Sequence, residues 1–236
     1  MPTGAGPLFR RGALYLGMIG AIIQARMGST RLPGKVLMDL GGKPVLRHVI
    51  DRVKLVPEIE RIVVATSREQ KDDAIAAKCR EWGVRVYRGD ETDVLDRYFK
   101  AAALHLLTVV VRITADCPLL DPTVVSRVIQ EFQAAGCEYA SNVHPPSYPD
   151  GLDCEVMSIA ALQTAWDEAG SKFDREHVTP YLWHAPGRFG AVNVSSTGDT
   201  SSLRWTLDTP ADLDLIRALH QSVQPGHTDY RELLGR

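Results

Sequence analysis

The chain has 236 residues, 44% hydrophobic and 24% charged, with a formal net charge of −2, which suits one buried core in a single α/β domain with a modest insertion. The near-neutral balance argues against a nucleic-acid binder, whose affinity would rest on a broad basic surface. Cysteines at 79, 117, 137 and 154 form neither a CxxC pair nor a zinc spacing, and read as reduced thiols of a cytoplasmic protein.

In chain order, Arg10-Arg11 and the apolar run over 13–23 have the outline of an export signal. Cleavage after that run would remove the first strand of the fold, and the run is shorter than the roughly 20 apolar residues that span a membrane. A disordered extension over 1–17 is expected, followed by one domain over 18–236. Ile19, Ala21, Ile22 and Ile23 have the length and branching of a buried strand, and the texture changes at Gln24.

Beyond that strand, Arg26, Gly28, Ser29, Arg31, Pro33, Gly34 and Lys35 make a loop with free amides and three fixed cations, the combination that a polyphosphate requires. It is not a Walker A loop, because Gly28 and Gly34 enclose five residues and Val36 succeeds Lys35. It is not a dinucleotide GxGxxG either, since no glycine lies two residues after Gly28.

Gly41-Gly42-Lys43-Pro44 is a turn opening an amphipathic helix with Val45, Leu46, Val49, Ile50 and Val53 on one face. Strands are expected over 61–66, 84–87 and 109–114, with helices over 70–82 and 92–107 between them. This alternation gives a three-layer α/β fold, a mostly parallel sheet covered on both faces. Ligands bind such sheets at the carboxyl ends of the strands. That rule gathers the 26–35 loop, Thr66-Ser67-Arg68, the segment 88–93 and Ala115-Asp116-Cys117-Pro118 along one edge, with Thr66 and Arg88 available to a base pocket.

Asp116, directly after a buried central strand, either begins a turn before Pro118 or holds magnesium, which takes one or two protein carboxylates and completes its shell with phosphate and water, and the phosphate loop beside it favours the metal. Asp121-Pro122 reads as a helix cap with proline at the first helical position. Three prolines lie within 142–151, and a strand over 152–158 then puts Asp153 and Glu155 on one face. Asp150 sits in a Pro-Asp-Gly turn, which explains it without any function. His177 and His184 are seven residues apart with Pro180 between them, so packing or a subunit contact suits them better than a metal. The last strand is expected over 203–207. Thr209 and Asp212 then form a capping box around Pro210, which leaves Asp208 without a structural explanation.

Ala25-Arg26, Ser29, Arg31, Pro33-Gly34-Lys35-Val36-Leu37 and Gly42-Lys43-Pro44 resemble the signature of the cytidylyltransferases that activate acidic sugars as CMP-sugars. Thr114, Asp116, Pro118 and Asp121-Pro122 are similar to the metal-site segment of that family. Arg175, Glu176, His177 and Pro180 resemble its spore-coat polysaccharide branch, and the likeness covers roughly residues 18 to 220. It implies a Rossmann-like nucleotide-diphospho-sugar transferase fold, magnesium on Asp116 and on Asp208 of the WTxDTP segment, and a homodimer. It further implies a nucleotide site of Ala25, Arg26, Gly28, Ser29, Arg31, Lys35, Thr66 and Arg88, with Arg26, Lys35 and Asp116 catalytic. Asp150, Asp153 and Arg175 fall on the sugar side.

Two departures stand out: Ala115 replaces the usual glycine, and Thr92-Asp93-Val94 stands where the sugar-acid enzymes carry a Gln-Ser-Gly around cytosine. The reaction implied is attack of a sugar hydroxyl on the α-phosphate of CTP, or of another nucleoside triphosphate, with loss of pyrophosphate. A nucleotide-sugar-dependent glycosyltransferase and a non-catalytic nucleotide-binding module remain as alternatives. The first would want an Asp-x-Asp after a strand, and the one such spacing, Asp212 and Asp214, lies in the last helix.

Overall fold

The computed structural model describes residues 17–185, 187–222 and 229–235. The expectation for 1–17 therefore lies, apart from Gly17, outside the described residues. Strand β1 (Ile19–Gln24) leads into the cationic loop, and a short hairpin of β2 (Asp39–Leu40) and β3 (Lys43–Pro44) precedes helix α1 (Val45–Val53). The hairpin was not anticipated from sequence. Gly41 and Gly42 both have positive φ, 62° and 86°, as a tight two-residue hairpin turn demands.

The chain then alternates: β4 (Arg61–Ser67), α2 (Asp73–Glu81), β5 (Arg85–Gly89), α3 (Val94–Leu104), β6 (Val109–Thr114) and α4 (Pro122–Ala135). Asp121 caps α4 through Thr123 N at 2.7 Å, with Pro122 at its first turn and Gly136 closing it at φ 57°. Beyond α4 come β7 (Tyr139–Ser141), β8 (Glu155–Ser158), α5 (Ile159–Glu168), α6 (Lys172–His177), α7 (Pro180–Trp183), β9 (Ala191–Asn193) and α8 (Pro210–Ser222).

Seven strands form one sheet in the order β5-β4-β1-β6-β8-β7-β9, and pairing is parallel throughout except where β8 lies antiparallel between β6 and β7. Alternation along β1 sends Ala21 and Ile23 to one face, under α1, α2 and α4, and Ile22 to the other, under α3 and α5. A third apolar cluster packs Leu32 of the loop against Leu119, Trp205, Leu207 and Ile216.

Two expected strands differ. β8 begins at Glu155, because the side chain of Asn142 takes over the pairing before it: Nδ2 donates to Leu152 O and Oδ1 accepts from Cys154 N, both at 2.8 Å. Asp153 thus precedes the strand, while Glu155 is buried in it against Arg112 and Tyr139. Residues 203–207 form no strand of the sheet. They run extended beside the Asp150 turn, with Asp150 N on Leu203 O at 2.9 Å and Trp205 N on Asp150 O at 2.6 Å. Leu207 N then reaches Asp116 O at 2.9 Å, which ties this segment to the end of β6.

Candidate active site

The loop after β1 is fixed at its start by Asp72, a fully buried carboxylate. Its Oδ1 accepts from Met27 N at 2.7 Å, and its Oδ2 accepts from Ser67 Oγ at 2.5 Å and Ser67 N at 3.2 Å. Gly34, at φ 74°, then turns the chain so that Lys35 opens a short 3-10 turn, and Gly34 N closes back on Met27 O at 3.0 Å. Lys35 is thereby held 8% exposed and aimed across the carboxyl edge.

Its Nζ donates to Asp116 Oδ2 at 2.6 Å and to Asp208 Oδ1 at 2.8 Å. Two carboxylates from the ends of different segments, about ninety residues apart in sequence, meet at one ammonium. Asp208 also accepts from Arg31 Nη2 at 2.8 Å and from Arg204. Burial lowers the Lys35 pKa, but Asp116 and Asp208 outweigh it and raise the group above its usual value. Burial likewise pushes the Asp208 carboxyl up, and Lys35, Arg204 and Arg31 overcome this to hold it below the usual carboxylate range. Lys35 marks the point both carboxylates share, so the donor set suits a divalent cation that takes two protein carboxylates and fills its shell with phosphate oxygens and water.

A cleft of about 250 Å³ opens here, and it is lined by Ala25, Arg26, Gly28, Ser29, Arg31, Lys35, Asp116 and Asp208. All eight were singled out in the sequence. Gln24, Val94, Arg97, Thr114, Glu176 and His177 also line it. His177, expected in packing or a subunit contact, is part of the cleft wall, its ring 4.6 Å from that of Phe173. Arg97 escaped the sequence reading, although its signal was present. Val94, Tyr98 and Ala101 mark the buried face of α3, and Arg97 sits on the same stripe as a charged intruder.

Five expected residues lie elsewhere. Thr66 is fully buried within β4. Arg88 is committed to Asp73 at 2.6 Å and to the carbonyls of Ser67 and Glu69, so its guanidinium joins β5 to the start of α2 and does not line the cleft. Arg175 grips Asp93, the cap of α3, with Nη2 at 2.6 Å, and Trp166 O at 2.7 Å. That makes it a clamp between α3, α5 and α6, its donors spent inside the protein. Asp150 binds Arg204 Nη1 at 2.6 Å and Thr206 Oγ1 at 2.5 Å, and through Arg204 it supports Asp208. Asp153 lies beside this turn; burial first, then the charges of Asp150 and Glu155, push its carboxyl up to about 7.

Asp212 accepts from the backbone N–H groups of Asp208 and Thr209, completing the cap of α8. It is therefore structural, and the Asp-x-Asp of a glycosyltransferase has no counterpart at this cleft among the described residues.

The cytidylyltransferase family model matches residues 20–228. Spore coat polysaccharide biosynthesis protein SpsF of Bacillus subtilis is 35% identical over 215 residues, which cover 86% of this chain and 86% of SpsF. A 3-deoxy-manno-octulosonate cytidylyltransferase of Anaeromyxobacter is 29% identical over 241 residues, covering 85% of this chain and 96% of its own. Among solved structures, a cytidylyltransferase from Leptospira borgpetersenii superposes with a TM-score of 0.88 at 29% identity over 92% of each chain.

Proposed function

The chain belongs to the cytidylyltransferase family and is a nucleotidyltransferase, and from that premise we propose that it condenses CTP with an acidic sugar, giving a CMP-sugar and pyrophosphate for surface polysaccharide or glycan synthesis. The observation that carries this reading is the junction of Asp116, Lys35 and Asp208 at the mouth of a cationic, glycine-bearing loop. The names of the relatives supply the sugar class.

In this reading the loop amides around Gly28 and Ser29, with Arg26 and Arg31, hold the β and γ phosphates. Lys35 leaves its carboxylate partners for a phosphate oxygen once the triphosphate is bound, and stabilises charge on the departing pyrophosphate. Such preorganised positioning carries most of the rate in phosphoryl-type transfer. Asp116 and Asp208 would hold magnesium, which when bound neutralises phosphate charge and lowers the pKa of a coordinated hydroxyl. Asp150, through Arg204, keeps Asp208 oriented for that duty.

The four cysteines are free and buried, which supports a reducing cytoplasm. No helix among the described residues is long and apolar enough to cross a membrane. A homodimer is part of the proposal, and sedimentation that gives a monomer at micromolar concentration would remove it.

Thermal melts with CTP, UTP, ATP and GTP, each with and without magnesium, test the nucleotide half. At 100 times Kd a ligand stabilises by about 2.7 kcal/mol, or roughly 5 to 10 °C at this chain length. A magnesium-dependent shift confined to CTP is expected. A shift with another triphosphate alone changes the base, and no shift with any of the four refutes the reading.

A further inference from the structure

Arg97 is 2% exposed, yet its Nε and Nη1 have no hydrogen-bond partner. A buried guanidinium without an acceptor costs stability, so a fold that retains one points to an acceptor from outside. The nearby carboxylates, Asp72 and Asp90, act on it through their charge but bind other donors. Asp72 binds Met27 and Ser67, and Asp90 binds Thr92 N at 2.8 Å, Thr92 Oγ1 at 2.9 Å and Asp93 N at 2.9 Å. Arg26 and Arg97 both line the cleft, and burial first, then the like charge of Arg26, push the Arg97 pKa down.

The stem of Arg97 occupies space kept open by a glycine. A Cβ on Gly89 would lie 2.5 Å from Arg97 Cγ and 3.2 Å from Tyr87 Cε1. The cleft therefore holds two kinds of cation. Arg31 and Lys35 are matched by Asp208 and Asp116, whereas Arg26 and Arg97 have no carboxylate partner among the described residues.

We propose that Arg97 of α3, which lines the same cleft as Arg26, is a phosphate receptor of the cleft, and that the two guanidiniums together clamp one phosphate of the bound triphosphate. The proposal rests on the nucleotidyltransferase reading and adds a binding residue from the far wall. It assigns the ligand to phosphate and not to the sugar carboxylate because Arg26 belongs to the phosphate loop. Charge-assisted bonds from a planar guanidinium suit phosphate geometry, and a lysine, with its single point of charge, would replace it poorly.

The test uses the full chain, titrated calorimetrically with inorganic triphosphate and with CTP, alongside ligand-free melts and steady-state kinetics. Arg97→Met is expected to weaken both ligands at least tenfold, leave the KM of the acidic sugar within twofold, and melt at or above the wild type without ligand. Arg97→Lys should recover only part of the affinity. Gly89→Ala, which displaces the arginine without removing it, should reproduce the loss.

Unchanged affinity for both ligands in Arg97→Met overturns the proposal. So does loss of CTP affinity alone, which would assign Arg97 to the base or ribose, or a change confined to the KM of the sugar, which would assign it to the carboxylate. A ligand-free melt far below the wild type, with Gly89→Ala binding normally, makes Arg97 structural and overturns it too. Wild-type protein that binds no triphosphate defeats the underlying reading, an outcome distinct from all of these.

Discussion

Lys35 holds Asp116 and Asp208 together with one ammonium, so its substitution acts on charge balance as well as on phosphate binding. Lys35→Met should lower turnover by about 10² to 10³, the usual cost of one lost electrostatic contact to a transition state. It also leaves two carboxylates facing each other, so the metal-free variant should melt below the wild type and recover more of its Tm when magnesium is added. Melts with chelator and with magnesium, beside pyrophosphate-release rates, check both halves; wild-type turnover in the variant would remove Lys35 from the chemistry. Asp153 gives a pH signature of its own. Its carboxyl, at about 7 in the folded protein against an ordinary value of 3.8, binds its proton more tightly when folded. Its contribution to stability therefore falls as pH rises from about 4 to about 7 and stays lost above. Asp153→Asn should match the wild type at pH 4 and melt above it at pH 8, and a variant that melts no higher than the wild type at pH 8 would contradict the assignment. The loop residues and the Asp116–Asp208 pair were legible at this scale, Asp116 because it directly follows β6 beside the cationic loop and Asp208 because the cap made by Thr209 and Asp212 leaves it unexplained. Arg88 and Arg175 misled the reading, since the partners that consume them, Asp73 and Asp93, are fixed only by the fold.

The segment from Leu203 to Asp208 is extended, as its apolar texture implied, but it pairs with a turn and with Asp116 instead of joining the sheet. Gly151 permits that approach. Its φ is 115°, and a Cβ there would meet the backbone of Trp205 at 2.8 Å. Gly151→Ala should cost about 1 to 3 kcal/mol and shift Asp208, lowering turnover and raising the magnesium concentration needed for half-maximal rate. Urea titration and magnesium-dependent kinetics measure the two effects, and unaltered magnesium dependence would separate Gly151 from the site. Arg175→Ala tests the clamp between α3, α5 and α6. It should destabilise the fold while the folded variant keeps its KM for the acidic sugar, and a KM raised tenfold would return Arg175 to the sugar site. Helix α1 was readable because its apolar face follows directly on the Gly-Gly turn, and the start of α4 because Asp121-Pro122 supplies its cap. Strands β7 and β9, three residues each, are too short for any period, and the start of β8 depends on the side chain of Asn142, which no local pattern announces.

Across the whole molecule, β1, β4, β5 and β6 run parallel and deliver their carboxyl ends to one edge, while β8 reverses the direction and lets the chain return with Asp208. The parallel half came from alternation of strands and helices. The return did not, because which segment comes back to Asp116 is a property of packing between Leu207, Trp205 and the loop residue Leu32. The cleft has two walls, the cationic loop and the α3–α6 face with Val94, Arg97, Glu176 and His177, and the sequence reading assembled only the first. Joint occupation of those walls by a triphosphate and an acidic sugar is tested most directly by 31P NMR of the protein with CTP, magnesium and a panel of acidic sugars. With one of these sugars the triphosphate signals should give way to pyrophosphate and a single phosphodiester of a CMP-sugar, and omission of either the sugar or the metal should abolish the change. Triphosphate signals that persist with every sugar, or phosphate and CDP in place of pyrophosphate and the diester, would contradict it.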